Sequence, residues 1–225
     1  MRRWKMVNKK VEIVQKIMNA NDEIALENKK LLQSHDIFSI NIMASPGSGK
    51  TSLILRTIEK LSNTMRIAVI EGDTAPVTLD SDKVDALGIP VIQINTGGDC
   101  HLDALMIKKA LDQFDLDAID LLIIENVGNL VCPAAFQLGT HINMVIASTP
   151  EGDDKPYKYP GIYRGIDCLI LNKIDLLPHL NFDFDYFKQG LNVLNPGLFI
   201  FPLSCQTGEG LDAWIEWLRA KADKK

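Results

Sequence analysis

FSINIMASPGSGKTSLIL, residues 38–55, joins an apolar run to a glycine-rich loop and then to an amphipathic helical pattern. This order predicts a buried strand that ends at Ala44, a loop over residues 45–49, and a helix that opens at Lys50 and Thr51. Small loop residues let successive backbone N–H groups curl around a phosphate, and the helix N-terminus adds its positive end. The segment therefore predicts a phosphate-binding loop, although Ala44 occupies the first glycine position of the usual G-x-x-x-x-G-K-[ST] pattern.

The predicted nucleotide contacts of this loop are Pro46, Gly47, Ser48, Gly49, Lys50, Thr51 and Ser52. Lys50 would reach the β- and γ-phosphates of a nucleotide, and the Thr51 hydroxyl would ligate Mg²⁺. The competing interpretation is a glycine-rich turn with an exposed lysine. The strand pattern before the loop and the helix pattern after it favour the phosphate site.

Seven short apolar runs of β type appear after residue 37, and most are separated by stretches long enough for a helix. The runs are FSINIMA (38–44), RIAVIE (66–71), PVIQIN (90–95), DLLIIEN (120–126), INMVIAS (142–148), DCLILNK (167–173) and LFIFPLS (198–204). Helical patterns occupy TSLILRTIEKL, LDALMIKKALDQF and LDAWIEWLRAKADKK. This alternation predicts a three-layer α/β fold, with a mostly parallel sheet flanked by helices. We expect the site residues to follow the strands, because ligands bind beyond the carboxyl ends of such sheets.

The region before the first strand has apolar residues at helical spacing, from Val11 to Met18 and from Ile24 to Leu32. The segment NAND, residues 19–22, is typical of a point where one helix ends and the next is capped. We therefore expect N-terminal helices over residues 1–35, packed on or next to a phosphate-loop domain that spans residues 36–225.

Composition excludes several classes of protein. A formal net charge of -5 argues against general nucleic-acid binding, which leaves a basic footprint. No apolar run reaches the roughly 18–20 residues of a membrane span. The basic start MRRWKMVNKK is not followed by the apolar segment of a secretory signal, so we expect a cytoplasmic protein without a membrane partner. Its four cysteines should then be reduced, which favours a metal or catalytic role over disulfides.

The tetrapeptide Asn172-Lys173-Ile174-Asp175 follows a predicted strand and resembles the guanine-recognition motif of GTPases. The Asp175 carboxylate can accept hydrogen bonds from both the ring N–H and the exocyclic amine of guanine. Adenine presents an acceptor at that ring nitrogen, so it would leave the carboxylate unpaired. Lys173 can lay its aliphatic stem over the base. The base-supporting loop of GTPases, whose backbone N–H groups meet the guanine carbonyl, is matched by Ser204, Cys205 and Gln206.

Two carboxylates at strand ends are predicted to complete the nucleotide site. Asp73 ends RIAVIEGD and Glu125 lies in DLLIIENVGN, where a carboxylate holds Mg²⁺ directly or through water. Solvated loop carboxylates are the alternative. Gly128 is expected to contact the γ-phosphate, with E-N-V-G standing where ordinary GTPases have D-x-x-G. We take Lys50, Asp73, Glu125 and Gly128 as the catalytic set and expect slow hydrolysis, because no glutamine follows to orient water.

These motifs together resemble the hydrogenase nickel-incorporation GTPases, HypB, from about Ala20 to the C-terminus. The similarity lies in SPGSGKT, IEGD, GGDCHLDA, ENVGNLVCP, EGDDKPYKYP, LNKIDLL and TGEGLDAWIEWL. The resemblance implies slow Mg²⁺-dependent hydrolysis of GTP to GDP and phosphate. It also implies membership of the SIMIBI class, whose members pair face to face when GTP binds, and Lys155 is a candidate for contacting nucleotide across that dimer.

The resemblance also implies a metal site at Cys100, His101 and Cys132, where the family binds zinc or nickel near the dimer interface. Two thiolates and an imidazole suit either metal and leave a position open for release or for a second subunit. From the residues alone, a structural role stays open, with both cysteines as small buried residues and His101 capping a helix. Cys168 and Cys205 are not assigned to metal. His35, His141 and His179 are isolated, which is typical of surface or satisfied core histidines, and His141, before INMVIAS, is also a candidate outer-shell residue.

This chain departs from many members of the family because MRRWKMVNKKVEIVQ has neither a cysteine-rich nickel motif nor a histidine-rich store. We therefore expect metal to come from or go to a partner. The implied partners are a HypA-like nickel chaperone, which the first helix could dock, and a hydrogenase large-subunit precursor. The alternatives are maturation of another metalloenzyme, of urease or cobalamin type, and a metal store with vestigial nucleotide binding. Intact Lys50, Thr51, Asn172 and Asp175 argue against the store.

Overall fold

The sheet contains seven strands in a computed structural model that describes residues 9–74 and 79–224. The strands are β1 (Phe38–Ala44), β2 (Ile67–Asp73), β3 (Val91–Asn95), β4 (Leu121–Glu125), β5 (Ile142–Ser148), β6 (Cys168–Asn172) and β7 (Phe199–Pro202). Every neighbouring pair is parallel, and the spatial order is β3-β2-β4-β1-β5-β6-β7. All seven predicted strands are confirmed. The basic segment 1–8, used above to argue against a secretory signal, lies outside the described residues.

Eight α-helices connect and cover the strands in the part of the chain that the structure describes. They are α1 (Lys9–Ser34), α2 (Lys50–Leu61), α3 (Leu79–Asp85), α4 (Ala104–Leu111), α5 (Lys155–Lys158), α6 (Pro160–Arg164), α7 (Phe184–Leu194) and α8 (Leu211–Ala222). Short 3-10 turns occupy Leu116–Ala118, Cys132–Ala135, Thr149–Glu151 and Ile174–His179. Within the described ranges, no helix combines the length and apolar character needed to cross a bilayer.

The helices form layers on both faces of the sheet because its central strands are apolar on both sides. In β1, Ile40 and Ile42 face a core shared with α2 and α8, whereas Met43 faces a core shared with α6 and α7. Alternate residues of β2 and β4 likewise pack against α1 and α4. Side chains of successive strand residues point to opposite faces, so continuous apolar runs such as LLII serve two cores at once. The three-layer prediction is confirmed.

The chain forms one continuous helix, α1, over Lys9–Ser34, so the predicted break at residues 19–22 is wrong. Asn21 is buried, and its side chain binds the folded domain instead of capping a second helix. Its amide nitrogen donates to the Gln137 carbonyl at 2.9 Å, and its oxygen accepts from the Ala104 N–H at 2.9 Å. A polar residue inside a helix can thus mark a docking contact as well as an end.

The chain reverses its direction of winding at β1, because β4 lies on one side of this strand and β5 on the other. Ligands of open α/β sheets bind at such a switch point, beyond the carboxyl ends of the strands. Ala44 ends β1 there, and the ends of β2, β4 and β6 bring Asp73, Glu125 and Asn172 to the same edge. The strand order therefore assembles at one edge residues that are up to 128 positions apart in sequence.

Candidate functional site

The phosphate-type loop between β1 and α2 has the backbone that its glycines predict. Gly47 and Gly49 have φ of 75° and 105°, values that residues with a side chain rarely adopt. The loop is braced from within, since the Ser48 hydroxyl donates to the Ser45 carbonyl at 3.0 Å. Ala44 is fully buried in the core, which explains why a small residue other than glycine fits the first position of the pattern.

Asn172 ties the predicted base motif to this loop. Its amide nitrogen donates to the Ser48 carbonyl at 2.9 Å, and a side chain at Gly49 would collide with the same amide. Its oxygen accepts from the Lys173 and Cys205 N–H groups at 2.8 and 3.1 Å. Lys173, in the left-handed region at φ 63°, donates from Nζ to the Gly47 carbonyl at 2.7 Å. One asparagine therefore sets the relative position of three segments.

A cavity of about 320 Å³ opens beside Asp175. Its walls come from the two motifs and α2, namely Gly49, Ser52, Asn172, Lys173, Asp175, Leu176, Cys205 and Gln206. The Oδ1 atom of Asp175 is buried and has no hydrogen-bond donor among the residues that the structure describes. A buried carboxylate oxygen without a donor is costly, so this atom fits a ligand that brings N–H groups.

The loop after β7 is more self-contained than its sequence predicts. Its N–H groups were expected to meet the base, yet the Cys205 N–H donates to Asn172. The Gln206 and Thr207 N–H groups both point to the Ser204 hydroxyl, at 3.2 and 3.1 Å. A base carbonyl would therefore compete with Ser204 for the Gln206 N–H. Burial raises the pKa of the Cys205 thiol to about 11, so this thiol is protonated at neutral pH.

Glu125 lies where the first turn of α2 meets the end of β4. The Thr51 hydroxyl donates to its carboxylate at 3.2 Å, and Lys50 Nζ lies 4.0 Å from the same oxygen. The Lys50 and Glu125 side chains are only 12% and 8% exposed, so water screens this pair weakly. Asp73 lines the adjoining cavity, so a hydroxyl and two carboxylates, the oxygen ligands that Mg²⁺ prefers, gather beside the lysine.

Gly128 approaches the phosphate-type loop closely. A Cβ atom at this position would lie 3.1–3.2 Å from atoms of Pro46, including its main chain. A side chain at this position would therefore crowd Pro46. The φ of Gly128 is not in the left-handed region, so this close approach is the feature that favours glycine here. The contact places the E-N-V-G segment against the loop, where a phosphate at its tip would meet both.

The ligand atoms of Cys100, His101 and Cys132 all lie within 4.8 Å of one another, as in a site that could hold a metal ion. The three residues are half-buried, and Cys100 Sγ lies 3.9 Å from His101 Nδ1. The His101 ring stacks on Phe136 with 3.8 Å between ring centroids, which fixes the imidazole plane. The adjacent Cys100 thiol, with a smaller effect of burial, holds the pKa of Cys132 above its usual range.

The structural role that the sequence left open for these residues does not fit. Asp103 caps α4, because its carboxylate accepts from the Met106 N–H at 2.7 Å, and His101 takes no part in that cap. Neither Cys100 nor Cys132 belongs to a buried core, whereas Cys168 is fully buried in one. All four cysteines are free thiols. The chemistry of two half-buried thiols and an imidazole, converging on one point, therefore suits a thiophilic metal.

The metal-type cluster and the nucleotide-type groove share a cavity of about 320 Å³. Its walls include Pro46, Lys50, Glu71, Gly72, Asp73, Thr74, Cys100, Glu125, Val127 and Gly128. A third cavity, of about 330 Å³, shares Lys50 and Glu125 with it and shares Gly49, Ser52 and Lys173 with the cavity beside Asp175. The sites thus lie along one groove, with Cys100 at one end and Asp175 at the other.

Several residues of this groove were missed by the sequence analysis. Glu71 and Lys83 line it, and Phe136 stacks on His101. Glu71 has a signal in the sequence, because it follows an apolar run two residues before Asp73 and is opposite Glu125 in the sheet register. Phe136 has no such signal, since ring stacking across a loop depends on the fold.

Two of the remaining histidines, His35 and His141, lie away from the groove. The candidate outer-shell role of His141 is wrong, because this residue precedes β5 at the opposite edge of the sheet, where it is a satisfied structural histidine. There its Nδ1 lies 2.8 Å from the Ser39 hydroxyl, and its ring stacks on Phe38. His35 pairs with Asp117 at 2.7 Å on the surface. The sequence already argued against that role, because His141 precedes a predicted strand and site residues were expected to follow the strands.

A phosphate-type loop at the switch point of a parallel α/β sheet, with a strand-end carboxylate beside its lysine and threonine, defines a P-loop nucleotide-binding protein. The family described as CobW/HypB/UreG, nucleotide-binding domain, matches residues 38–202. The hydrogenase maturation factor HypB of Azotobacter vinelandii is 46% identical over 208 residues, which cover 92% of this chain and 68% of that protein. The chain therefore belongs to the CobW/HypB/UreG family and, within it, to the HypB proteins.

Solved structures agree with this assignment. The crystal structure of HypB from Archaeoglobus fulgidus matches with a TM-score of 0.85 and 39% identity, over 91% of this chain and 99% of that one. The crystal structure of HypB from Helicobacter pylori in complex with nickel matches with a TM-score of 0.86 and 37% identity, over 91% of this chain and 96% of that one.

Proposed function

We propose that the protein is a GTP-hydrolysing metallochaperone that binds Ni²⁺ or Zn²⁺ and assists nickel insertion during [NiFe]-hydrogenase maturation. The observation that supports this function best is the cavity that Cys100 shares with Lys50, Glu125 and Gly128. A thiol of the metal-type cluster lines the space next to the loop that would hold the γ-phosphate. The names of the HypB relatives, and the nickel in one of their structures, agree with the proposal.

Guanine is the base that the cavity beside Asp175 fits best. The orphaned Oδ1 atom of Asp175 calls for a donor, and guanine brings two, from its ring N–H and its exocyclic amine. The neighbouring Lys173 is held over the groove by its bond to Gly47, which leaves its stem available to the base. Of the N–H groups at Ser204, Cys205 and Gln206, that of Gln206 is the best placed to turn to the guanine carbonyl, since its present bond is shared.

Hydrolysis is assigned to the other end of the groove. Lys50 would stabilise charge on the β- and γ-phosphates, and the Gly128 N–H would bind the γ-phosphate. Thr51, Asp73 and Glu125 supply the donor set for Mg²⁺, which when bound neutralises charge on the phosphate oxygens. The Glu125 carboxylate accepts a hydrogen bond from the Thr51 hydroxyl at 3.2 Å. Two of the oxygen atoms that would bind Mg²⁺ therefore already lie side by side. We expect slow turnover, because no residue is assigned to orient the attacking water.

Hydrolysis is tested by replacing Lys50. Lys50→Ala removes the cation nearest the developing charge, and we expect GTP turnover to fall by about a hundredfold or more. The matched control is Lys60→Ala, on the same helix, because Lys60 lies on the surface and pairs with Asp212 at 2.9 Å. Phosphate release, measured with saturating GTP and Mg²⁺, should stay at the parent rate in the control. Parent-like turnover in Lys50→Ala would remove the phosphate-loop assignment.

Nickel or zinc is treated as cargo at Cys100, His101 and Cys132. Three ligands leave the coordination shell incomplete, which suits transfer or completion by a second subunit. Binding of one equivalent of Zn²⁺ or Ni²⁺ should be lost in Cys100→Ala and Cys132→Ala. It should be retained in Cys168→Ala, which removes a fully buried thiol outside the cluster. Retained binding in both cluster variants would place the cargo elsewhere.

The proposed partners follow from the groove and from α1. We propose a GTP-dependent homodimer, with Lys155 reaching the nucleotide of the other subunit, a HypA-like nickel chaperone, and a hydrogenase large-subunit precursor. The exposed face of α1, including Ile17 and Leu26, is the proposed chaperone contact. We propose residues 1–35 as an N-terminal region and 36–225 as the GTPase domain, in the cytoplasm and without nucleic-acid or membrane partners.

A further inference from the structure

Asn126 is a fully buried polar residue at the point where β4 leaves the sheet. It follows Glu125 directly, and its main chain is fixed, because its N–H donates to the Ile42 carbonyl of β1 at 3.0 Å. Its side chain lies in the protein interior and takes no part in lining the groove. Burial of an amide is unfavourable unless each polar atom is paired, so its contacts identify what it holds.

A single oxygen of Asn126 joins two segments that are distant in sequence. Its Oδ1 accepts from the Val127 N–H at 2.9 Å and from the Leu102 N–H at 3.1 Å. Val127 precedes Gly128, the glycine that contacts the phosphate-type loop. Leu102 follows Cys100-His101 directly. The oxygen therefore bridges the segment next to the phosphate site and the segment that presents two of the three metal-type ligands.

The orientation of this amide is fixed by its partners. Two main-chain N–H groups face Oδ1, so a flipped amide would set donors against donors. On the other side, Nδ2 donates to Asn41 Oδ1 at 3.2 Å, and Asn41 Nδ2 donates to Asn143 Oδ1 at 3.0 Å. This row of amides runs across β1 to β5, with Asn126 and Asn41 buried and Asn143 half-buried. It leaves Asn126 no second arrangement that satisfies all groups. It is a rigid connection anchored in the sheet.

Two further contacts hold the Cys100 segment to its surroundings. Leu102 is fully buried against Gly72 of β2, where an added Cβ would lie 2.7–2.8 Å from the leucine side chain. The Asn129 amide donates to the Cys100 carbonyl at 3.4 Å, and its oxygen accepts from the Val131 N–H at 2.8 Å, next to Cys132. The Asn129 hydrogen bond is only partly buried, whereas the hydrogen bond from the Leu102 N–H to Asn126 is buried.

We propose that Asn126 is a positioning residue that makes the Cys100-His101 segment and the Gly128 segment move as one unit. This proposal rests on the nucleotide and metal sites proposed above and adds the connection between them. A shift of Gly128 on γ-phosphate binding displaces Val127, and the shared oxygen transmits that displacement to Leu102. Without the oxygen, Gly128 still responds to nucleotide, but Leu102 and the ligands before it do not follow.

Backbone amide hydrogen exchange in nickel- and zinc-free protein tests the connection directly. With Mg²⁺ and GDP, and then a non-hydrolysable GTP analogue, we expect exchange to change in residues 127–132 and also at Leu102. In Asn126→Ala, Leu102 should exchange at least about tenfold faster with GDP, because its N–H has lost its acceptor. Its rate should also no longer depend on the nucleotide, while residues 127–132 still respond. A Leu102 response equal to that of the parent would overturn the proposal, as would a parent in which Leu102 ignores the nucleotide.

The matched control is Asn28→Ala. Asn28 is also a buried asparagine, and it donates to the Ala104 carbonyl at 2.8 Å and the Leu138 carbonyl at 3.1 Å, close to Leu102 in sequence but away from Val127. Loss of this side chain should leave the nucleotide response at Leu102 intact. If Asn28→Ala abolished that response as fully as Asn126→Ala, general loosening would explain the result and the proposal would fail.

If Asn126→Ala does not fold, Asn126→Asp tests the proposed connection instead. The carboxylate has the same shape and can accept both N–H groups, although it cannot donate to Asn41. The Leu102 response to nucleotide should therefore persist in Asn126→Asp, and its absence would overturn the proposal.

Ni²⁺ titration supplies a second readout and separates the possible failures. The ratio of Ni²⁺ dissociation constants with GDP and with the GTP analogue should differ from one by about 5–150-fold in the parent and in Asn28→Ala. In Asn126→Ala the ratio should differ from the parent ratio by at least about fivefold, because Cys132 still follows Gly128 while Cys100 and His101 no longer do. A ratio equal to that of the parent would overturn the proposal. A parent that binds no Ni²⁺ or Zn²⁺ would contradict the proposed function, while the exchange data would still decide the role of Asn126.

Discussion

Single side chains set the chemistry at each end of the groove, and Asp175 illustrates how. Its buried Oδ1 has no donor among the described residues, so the folded protein retains an unmet acceptor in the base cavity. The motif around it could be predicted from the sequence because Asn172, Lys173 and Asp175 lie within four consecutive residues. The competition of Ser204 for the Gln206 N–H was not readable, because it depends on how one loop turns back on itself.

Asp175→Asn should shift the base preference of the protein from guanine toward xanthine. The variant loses the acceptor for two guanine protons, which should weaken GTP binding by roughly a hundredfold or more, about 3 kcal/mol. Xanthine nucleotides should bind relatively better, since their ring carbonyl can accept from the new amide. Titration calorimetry with both nucleotides measures the change, and Asp212→Asn, at an exposed position of α8, serves as the control. GTP affinity at the parent level in Asp175→Asn would mean that the base lies elsewhere.

Metal uptake should release protons at the thiol cluster. The pKa of Cys132 is held above its usual range, so this thiol is protonated at neutral pH, and it must lose its proton to bind metal. The affinity for Zn²⁺ should therefore rise as pH increases toward that pKa, by up to about tenfold per pH unit for each proton released. Competition titrations at pH 6.5 and 7.5 test the sign. An affinity that is flat across this interval would show that no thiol proton is displaced.

At the scale of helices and strands, the strands were predictable and the connections were not. A run such as LLIIE is buried on both faces of a parallel sheet, so it appears as uninterrupted apolar sequence. The sequence patterns did not predict four of the helices, namely α3, α5, α6 and α7. Helices α5 and α6 have only four and five residues, which is too short for a helical pattern to appear. The single helix α1 replaced the predicted pair because Asn21 and Asn28 bind backbone groups far away in sequence.

Docking of α1 through Asn21 makes a stability prediction. Asn21→Ala leaves the Ala104 N–H and the Gln137 carbonyl without their partners, and we expect a loss of about 1–3 kcal/mol in the free energy of unfolding. Asn19→Ala, two residues earlier on the exposed side of the same helix, should stay within about 0.5 kcal/mol of the parent. Chemical denaturation followed by circular dichroism compares the two. Equal effects of the two substitutions would mean that α1 is not held to the domain through Asn21. The proposed boundary between the N-terminal region and the GTPase domain, at residues 35 and 36, stays a prediction.

At the scale of the whole molecule, two chemistries meet along one edge of the sheet. The strand order places the end of β4 between the ends of β1 and β2, so Glu125 faces the phosphate-type loop while the chain beyond it leads to Cys132. The sequence indicated both sites, because the P-loop and Cys-His motifs are local. Their shared cavity could not be predicted, since it depends on how the loops after β3 and β4 fold over the sheet edge.

The most direct test of the account is Ni²⁺ affinity measured on the parent protein with GDP and with a non-hydrolysable GTP analogue. Because Gly128 contacts the phosphate-type loop and Cys132 follows it by four residues, the two affinities should differ by about 5–150-fold. Reciprocity requires Ni²⁺ to change the affinity for the analogue relative to GDP by the same factor, and sizing would show whether that change accompanies dimerisation. Cys100→Ala and Cys132→Ala should remove the difference while leaving GTP binding near the parent value. Equal Ni²⁺ affinity in the two nucleotide states would contradict the account and leave a GTPase with an independent metal site.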